Sequence, residues 1–416
     1  MSNDAQQTQP DSPTVEDAAL FDEEIDRRSS NSMKWAYAGQ LLTPEQAAAD
    51  PLPMWVADTD FRSPRPVLDA LRDAVDHGVF GYPGGATESY LDAITGWQAR
   101  RFGWEVDPAW ILQTPGIITT LKTAVQAFSA PGDTVLVQPP VYSHFLDDVR
   151  LNGRHLACAP LERVDGGYRF DAASFEAAIQ PNTKLFILSH PHNPTGNVWS
   201  EEELRAMGEI CAKHGVLVVS DEIHEDLVMH PGKRHIPFAS LGEEFAQNSI
   251  TCTAPSKTFN LPGLQSANVF VPNPRIRAEL ARQLERNMFP LVNVLGMVAA
   301  EAAYTHGDAW VDGLVRYVRA NHEHFATTIN ASIPELEVLP ADSLYLAWID
   351  CRGLGMDAEA LKQFMLTEAR LWLDEGQKFG PEGHGYMRIN LGCPRSTVDE
   401  AIRRLQTAIA ERRERA

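Results

Sequence analysis

Four short apolar runs, at 134–138, 185–189, 216–219 and 250–253, alternate with segments of helical period, and this alternation constrains the fold more than any other feature. A continuous apolar run of four or five residues suits a strand buried on both faces. Such strands lie parallel, with helices covering both sides of the sheet. The expected fold class is therefore α/β, with a doubly wound, mostly parallel sheet in a large domain. Each run also delivers a distinctive residue just past its end: Tyr142, Asn193, Asp221 and Lys257 in turn. Ligands of open α/β sheets bind in the crevice outside those ends, so the four side chains are expected to share one crevice.

Lys257 is the most informative of them. Alone, it fits an exposed loop, where most lysines lie. In a crevice, burial eases the loss of its proton and lets the amine form a Schiff base. The stretch Thr114-Pro115-Gly116-Ile117-Ile118 opens a helix that runs to about residue 128, and the free N–H groups of that first turn make an anion site. Helices are also read at 66–77, with Val67, Leu68, Leu71 and Val75 on one face, and at 89–102, 201–214, 275–287, 291–304 and 310–329. Ser200 caps the helix at 201–214, and Gly215 ends it. The glycine-rich stretch 80–85 is a turn and, by itself, a weak phosphate signal. The run 52–58, followed by Asp60, fits either one short strand or the edge of a pocket. Residues 266–271 fit an antiparallel addition to the sheet.

After 329 the texture changes to that of a smaller α+β C-terminal domain. Strands at 344–349 and 386–391 flank a helix at 357–369, and a helix at 396–413 closes the chain, with Val398, Ile402, Leu405 and Ile409 on its apolar face. Residues 1–20 are polar and acidic and are expected to form a flexible arm.

Composition excludes several functions. A net charge of −20, dispersed along 416 residues, speaks against a nucleic-acid-binding surface and against an anionic membrane surface. No run of 18 apolar residues predicts a membrane span, and no apolar stretch follows Met1 as a signal peptide would require. The five cysteines form no CxxC pair, which points to reduced thiols in a cytoplasmic protein without a zinc site. His190 and His192 lack a third ligand at helical or strand spacing, so no metal is expected.

A pyridoxal phosphate enzyme needs a lysine for the imine, an anion beside the pyridine nitrogen, a donor to the ring hydroxyl, a sandwich for the ring and a helix N-terminus for the phosphate. Lys257, Asp221, Asn193, Tyr142 with Ile223, and Gly116-Ile117-Ile118 meet those needs in turn. The motifs His192-Asn193-Pro194-Thr195-Gly196, Ser220-Asp221-Glu222-Ile223-His224, Ser256-Lys257-Thr258 and Arg388-Ile389-Asn390-Leu391-Gly392 follow in one order. With them the chain resembles the fold-type I pyridoxal phosphate enzymes, the aspartate aminotransferase superfamily, over 21–416. Phe21-Asp22, Ile25-Asp26-Arg27-Arg28, Lys34-Trp35, Met54-Trp55-Val56-Ala57-Asp58 and Ala254-Pro255-Ser256-Lys257-Thr258-Phe259-Asn260 look more narrowly like the MalY/PatB group of cystathionine β-lyases.

The resemblance implies a pyridoxal 5'-phosphate cofactor and a carbon–sulfur β-lyase acting on L-cystathionine or related cysteine S-conjugates. A class I/II aminotransferase on the same scaffold is the alternative. It implies Lys257, Asp221 and Tyr82 as catalytic residues, with Tyr82 reaching the phosphate of a neighbouring subunit in a homodimer. Gly116, Ile117, Ile118, Tyr142, Asn193, Ile223, His224 and Ser256 join Asp221 and Lys257 around the cofactor. The resemblance further implies that Arg388, Ala57, Tyr142 and Asn193 face the substrate and that Arg388 binds its α-carboxylate; Asn390 and Cys393 beside it add no competing charge. The implied division is 21–65 as a segment joining the small domain, 66–295 as the cofactor-binding domain and 296–416 as the linking helix and small domain. Two positions depart from the superfamily pattern: Ala254 replaces a serine, and Gln265 replaces an arginine that would hold the phosphate.

Overall fold

The computed structural model describes residues 13–287 and 292–415. Its large sheet has seven strands: β1 (Ile111–Thr114), β2 (Thr134–Val137), β3 (His155–Cys158), β4 (Thr183–Ser189), β5 (Leu217–Asp221), β6 (Ser249–Thr253) and β7 (Ala267–Phe270). The spatial order is β1-β7-β6-β5-β4-β2-β3. Strands β2 to β6 are parallel, and β7 enters antiparallel between β6 and β1. The mixed edge is the antiparallel addition expected at 266–271.

Alternation along each strand divides the core between the two faces of the sheet. Val135, Val137, Leu185, Ile187, Val219 and Ile250 pack on one side, and Leu136, Phe186, Leu188 and Val218 pack on the other. Both faces are apolar, which is why the strands read as unbroken apolar runs. The register sets Ser189 opposite Asp221, and Asp221 opposite Cys252, so the C-terminal ends of β4, β5 and β6 lie level.

The helices that matter below are α1 (Val15–Phe21), α2 (Arg65–His77), α3 (Glu88–Phe102), α4 (Ile117–Phe128), α5 (Glu201–Lys213), α6 (Pro274–Arg286), α7 (Val294–His306), α8 (Asp308–Ser332) and α9 (Arg395–Arg415). Ser200 caps α5 with a full capping box through Glu203, as its sequence predicts. Helix α7 packs against α2 and α3, so the expected boundary at 295/296 falls inside a helix of the large unit. The expected start of that helix at Leu291 lies outside the described residues.

The small sheet comprises β8 (Glu337–Val338), β9 (Leu346–Asp350), β10 (Asp374–Glu375) and β11 (Tyr386–Asn390), antiparallel in the order β8-β9-β11-β10. Val398, Ile402, Leu405 and Ile409 of α9 are buried against it, on the face their spacing predicts. Helix α8 gives Leu314 and Tyr317 to the core beneath α2 and α3, and Phe325 and Ile329 to the small-sheet core.

Three elements differ from the sequence reading. The arm expected over 1–20 is overturned from Thr14 onwards. Residues 15–21 form α1, with a Thr14–Asp17 capping box, a fully buried Phe21 and an Asp17–Arg316 ion pair at 2.9 Å. The helix expected at 357–369 is α-helical only over Ala358–Gln363 and continues as a π-turn over Phe364–Glu368. The run 52–58 is a strand only at Leu52–Pro53, which pairs with Leu371–Trp372. Beyond it, Asn390 Nδ2 donates to the carbonyls of Val56 and Asp58, which turns this segment towards the crevice.

Asp58 and Asp60 take part in an ionic clamp. Lys34 is 1% exposed, and its Nζ lies 2.7 Å from Asp60 Oδ2. Arg27 bridges Asp58 at 2.7 Å and Asp60 at 2.5 Å, and Trp35 Nε1 donates to Asp60. Asn260 closes the clamp onto the lysine loop, donating to the carbonyls of Thr59 and Phe61 and accepting from Thr59 N. A buried ammonium left without its carboxylate is strongly destabilising. Asp60→Asn leaves Lys34 only the more distant Asp58 carboxylate, at 3.9 Å, and should cost about 3 kcal/mol in denaturant unfolding, the lower end for breaking a buried pair. A loss below about 1 kcal/mol, the range of exposed ion pairs, would show that the clamp does not hold the segment.

Candidate active site

A cavity of about 270 Å³ opens at the C-terminal ends of β4, β5 and β6. Asp221 ends β5 and projects into it, with Ile223 and His224 following. Ser256 and Lys257 line it from the short turn after β6, Asn193 from the loop after β4, and Tyr142 from the segment after β2. Gly116, Ile117 and Ile118 reach it at the start of α4, and Ala57 closes it from the N-terminal segment. The crevice predicted from the strand ends thus exists, and all four of its marker residues line it.

Lys257 Nζ donates to the Ala57 carbonyl at 2.6 Å, and Tyr345 donates to the same oxygen at 2.9 Å. Burial lowers the Lys257 amine from 10.5 to about 8; the charge on Arg388 adds to this, while Asp58 and Asp221 oppose it. Burial raises the Asp221 carboxyl to about 7, against a backbone hydrogen bond from Ile223 and the charge on Lys257. A carboxylate this deep is kept ionised by a cation set beside it. Burial, with Lys257 and Arg388, pushes the His224 imidazole well below its usual value, and its Nδ1 has no partner among the described residues. Tyr142 is pushed up to about 12 by burial and stays a phenol at neutral pH.

These donor types suit pyridoxal 5'-phosphate. The Gly116 cap carries no side-chain bond, so the first-turn N–H groups of α4 are free for a phosphate, with the Ser256 hydroxyl beside them. Tyr142 and Ile223 offer flat and aliphatic surfaces for a ring, and Asp221 offers the anion that a ring nitrogen requires.

The family model for aminotransferase class I and II matches residues 56–405. The chain belongs to that family. It is 43% identical over 391 residues to cystathionine beta-lyase PatB of Bacillus subtilis, covering 94% of this chain and 100% of that one. It is 32% identical to protein MalY of Escherichia coli, over 94% and 98% of the two chains. Cystalysin of Treponema denticola, solved with its pyridoxal 5'-phosphate cofactor, superposes with a TM-score of 0.89 at 33% identity, covering 94% of this chain and 98% of that one. The cofactor of this aminotransferase-family chain is pyridoxal 5'-phosphate.

Two expected site residues of this family member stand outside the cavity lining. Tyr82 is 91% exposed, in the loop between α2 and α3. Arg388, on β11, is buried behind Asn193: its Nη1 donates to Asn193 Oδ1 at 3.0 Å, and its guanidinium lies 4.8 Å over the Phe379 ring. The neighbours Asn390 and Cys393 carry no charge, but a charge not foreseen in the sequence does meet Arg388. Asp374 sits directly opposite it across β10 and β11, 2.7 Å from Nη2. That contact needs the strand register and is invisible in sequence spacing. Gln265 is exposed and does not line the cavity.

Sequence reasoning also missed a buried group beside the site. His235 Nε2 meets Glu222 Oε2 at 2.7 Å, and Glu225 lies close by. Ser220 and the Phe238 N–H donate to the other Glu222 oxygen, so hydrogen bonds account for this carboxyl. His190 and His192 each meet a backbone carbonyl instead, of Ile236 and Pro140.

Capture of the cofactor aldehyde needs the neutral amine of Lys257. The rate at which the cofactor-free protein takes up pyridoxal 5'-phosphate should therefore rise with pH about a midpoint near 8. A midpoint near the ordinary lysine value would show that burial does not tune this amine.

Proposed function

We propose that the chain is a carbon–sulfur β-lyase that, with water, converts L-cystathionine or a related cysteine S-conjugate to pyruvate, ammonia and a thiol. From cystathionine the thiol is homocysteine. The observation that carries this reading is the match to PatB, which spans that β-lyase from end to end. A lyase and an aminotransferase use the same cofactor residues, so likeness to the named lyases decides between them.

The bound cofactor supplies an electron sink for the pair left at Cα when its proton departs. The chain supplies the rest. The Lys257 amine removes the Cα proton, and its value of about 8 leaves a useful neutral fraction near physiological pH. The Ala57 carbonyl, 2.6 Å away, orients that amine. Asp221 keeps the ring nitrogen protonated, and Asn193 and Tyr142 fix the ring. Arg388, held by Asn193 and Phe379, takes the α-carboxylate.

The functional unit in this proposal is a homodimer. Val75, Val79, Phe80 and Tyr82 are 55%, 69%, 57% and 91% exposed, a run of apolar and aromatic surface that a second subunit would cover. Tyr82 would then reach the partner's phosphate. Among the described residues no helix is long and apolar enough to cross a membrane, and the five cysteines are unpaired, which fits the reducing cytoplasm.

Purified protein given L-cystathionine without a keto-acid acceptor should release pyruvate and homocysteine. Turnover only with an added keto acid would mark an aminotransferase. Asp221→Ala should retain bound cofactor yet lose about 30-fold to several thousand-fold in kcat/KM, the cost of about 2–5 kcal/mol for a desolvated charge contact. Wild-type turnover in that variant would remove Asp221 from the mechanism. Sedimentation that finds only active monomer would contradict the dimer.

A further inference from the structure

A guanidinium offers two forks to a carboxylate: Nη1 with Nη2 at its end, and Nε with Nη2 along its side. Each fork uses one of the two Nη2 hydrogens. At Arg388 both are taken, one by Asp374 Oδ2 at 2.7 Å and the other by the Trp55 carbonyl at 3.1 Å. Nε is buried without a partner among the described residues, and Nη1 donates to Asn193. Neither fork is complete until one acceptor leaves. The Trp55 carbonyl belongs to a segment tied down on both sides, through the Met54 and Val56 carbonyls that accept from Asn390. Asp374 is a side chain with somewhere to go, because its Oδ1 already lies 3.0 Å from Lys378 Nζ, and Lys378 is 44% exposed.

We propose that Asp374 is a resident counter-ion of Arg388. An incoming α-carboxylate displaces it from Nη2, Lys378 receives it, and this exchange sets how tightly α-amino acids are held. The exchange rests on Arg388 being the carboxylate site. It also makes the site selective: a ligand without an anionic group has nothing to offer Nη2 in place of Asp374, so it meets a guanidinium that is already neutralised.

The test is a titration of the holoenzyme with L-alanine, followed by cofactor absorbance. Alanine carries the α-amino and α-carboxylate groups but no leaving group at Cβ, so its binding does not depend on elimination. Asp374→Asn keeps an acceptor in place and removes its charge. Alanine affinity should rise about tenfold, the range of one charge-assisted hydrogen bond. Lys378→Met leaves Asp374 with no alternative partner and should weaken alanine severalfold, an effect that should vanish in the Asp374→Asn background. Equal or weaker binding in Asp374→Asn overturns the exchange, as does a Lys378→Met effect of the same size in both backgrounds. Should Asp374→Asn fail to fold, Lys378→Met decides alone, and unchanged affinity overturns it. No titration in the parent enzyme would instead remove Arg388 from the carboxylate site. A normal titration without pyruvate from cystathionine would count against the lyase reading only.

Discussion

A carboxyl and an amine buried at the ends of adjacent parallel strands set the terms for the rest of this protein. Left to themselves, both drift towards their neutral forms: burial lifts Asp221 to about 7 and lowers Lys257 to about 8. The site thus holds two groups that change charge near neutrality, within a wall that is otherwise largely apolar. A cationic heterocycle that docks between them answers both needs, because it gives the acid a counter-charge and the amine an electrophile.

The wall around that pair comes from distant parts of the chain. Ala57 presents its carbonyl to Lys257 because the ionic clamp of Arg27, Lys34, Asp58 and Asp60 pins the residues that follow it, and because Asn260 ties them to the lysine loop. Tyr345, from the segment leading into β9, bonds the same oxygen. The large sheet, the N-terminal segment and the small domain therefore meet at one backbone atom. Arg388 is fixed in a similar way, with Asn193 from the large domain, Asp374 from its own sheet and Trp55 from the N-terminal segment around one guanidinium.

Much of this was legible in the sequence, for physical reasons. Strands buried on both faces must be apolar throughout, so a polar residue just past such a run stands out. Tyr142, Asn193, Asp221 and Lys257 all stood out in this way. Helix ends were legible where a cap lies close in sequence, as with Ser200 and Glu203. What depends on tertiary partners was not legible. Helix α1 is held by a contact between Asp17 and Arg316, 299 positions apart. The pairing of Lys34 with Asp60 spans 26 positions, and that of Arg388 with Asp374 depends on which residues face each other across a hairpin. The segment 52–58 carried two readings and joins features of both: a two-residue strand, then a cavity edge at Ala57.

The level register of β4, β5 and β6 has a further consequence. Side chains alternate between the faces of a sheet, so a slip of one residue in β5 would carry Asp221 out of the cavity and reverse every neighbour along that strand. No intermediate offset leaves the acid half in place. Activity in a preparation of this protein therefore counts molecules rather than grading them: a sample at half its full specific activity through such slips would hold equal numbers of competent and inert chains, the competent ones each turning over at the full rate.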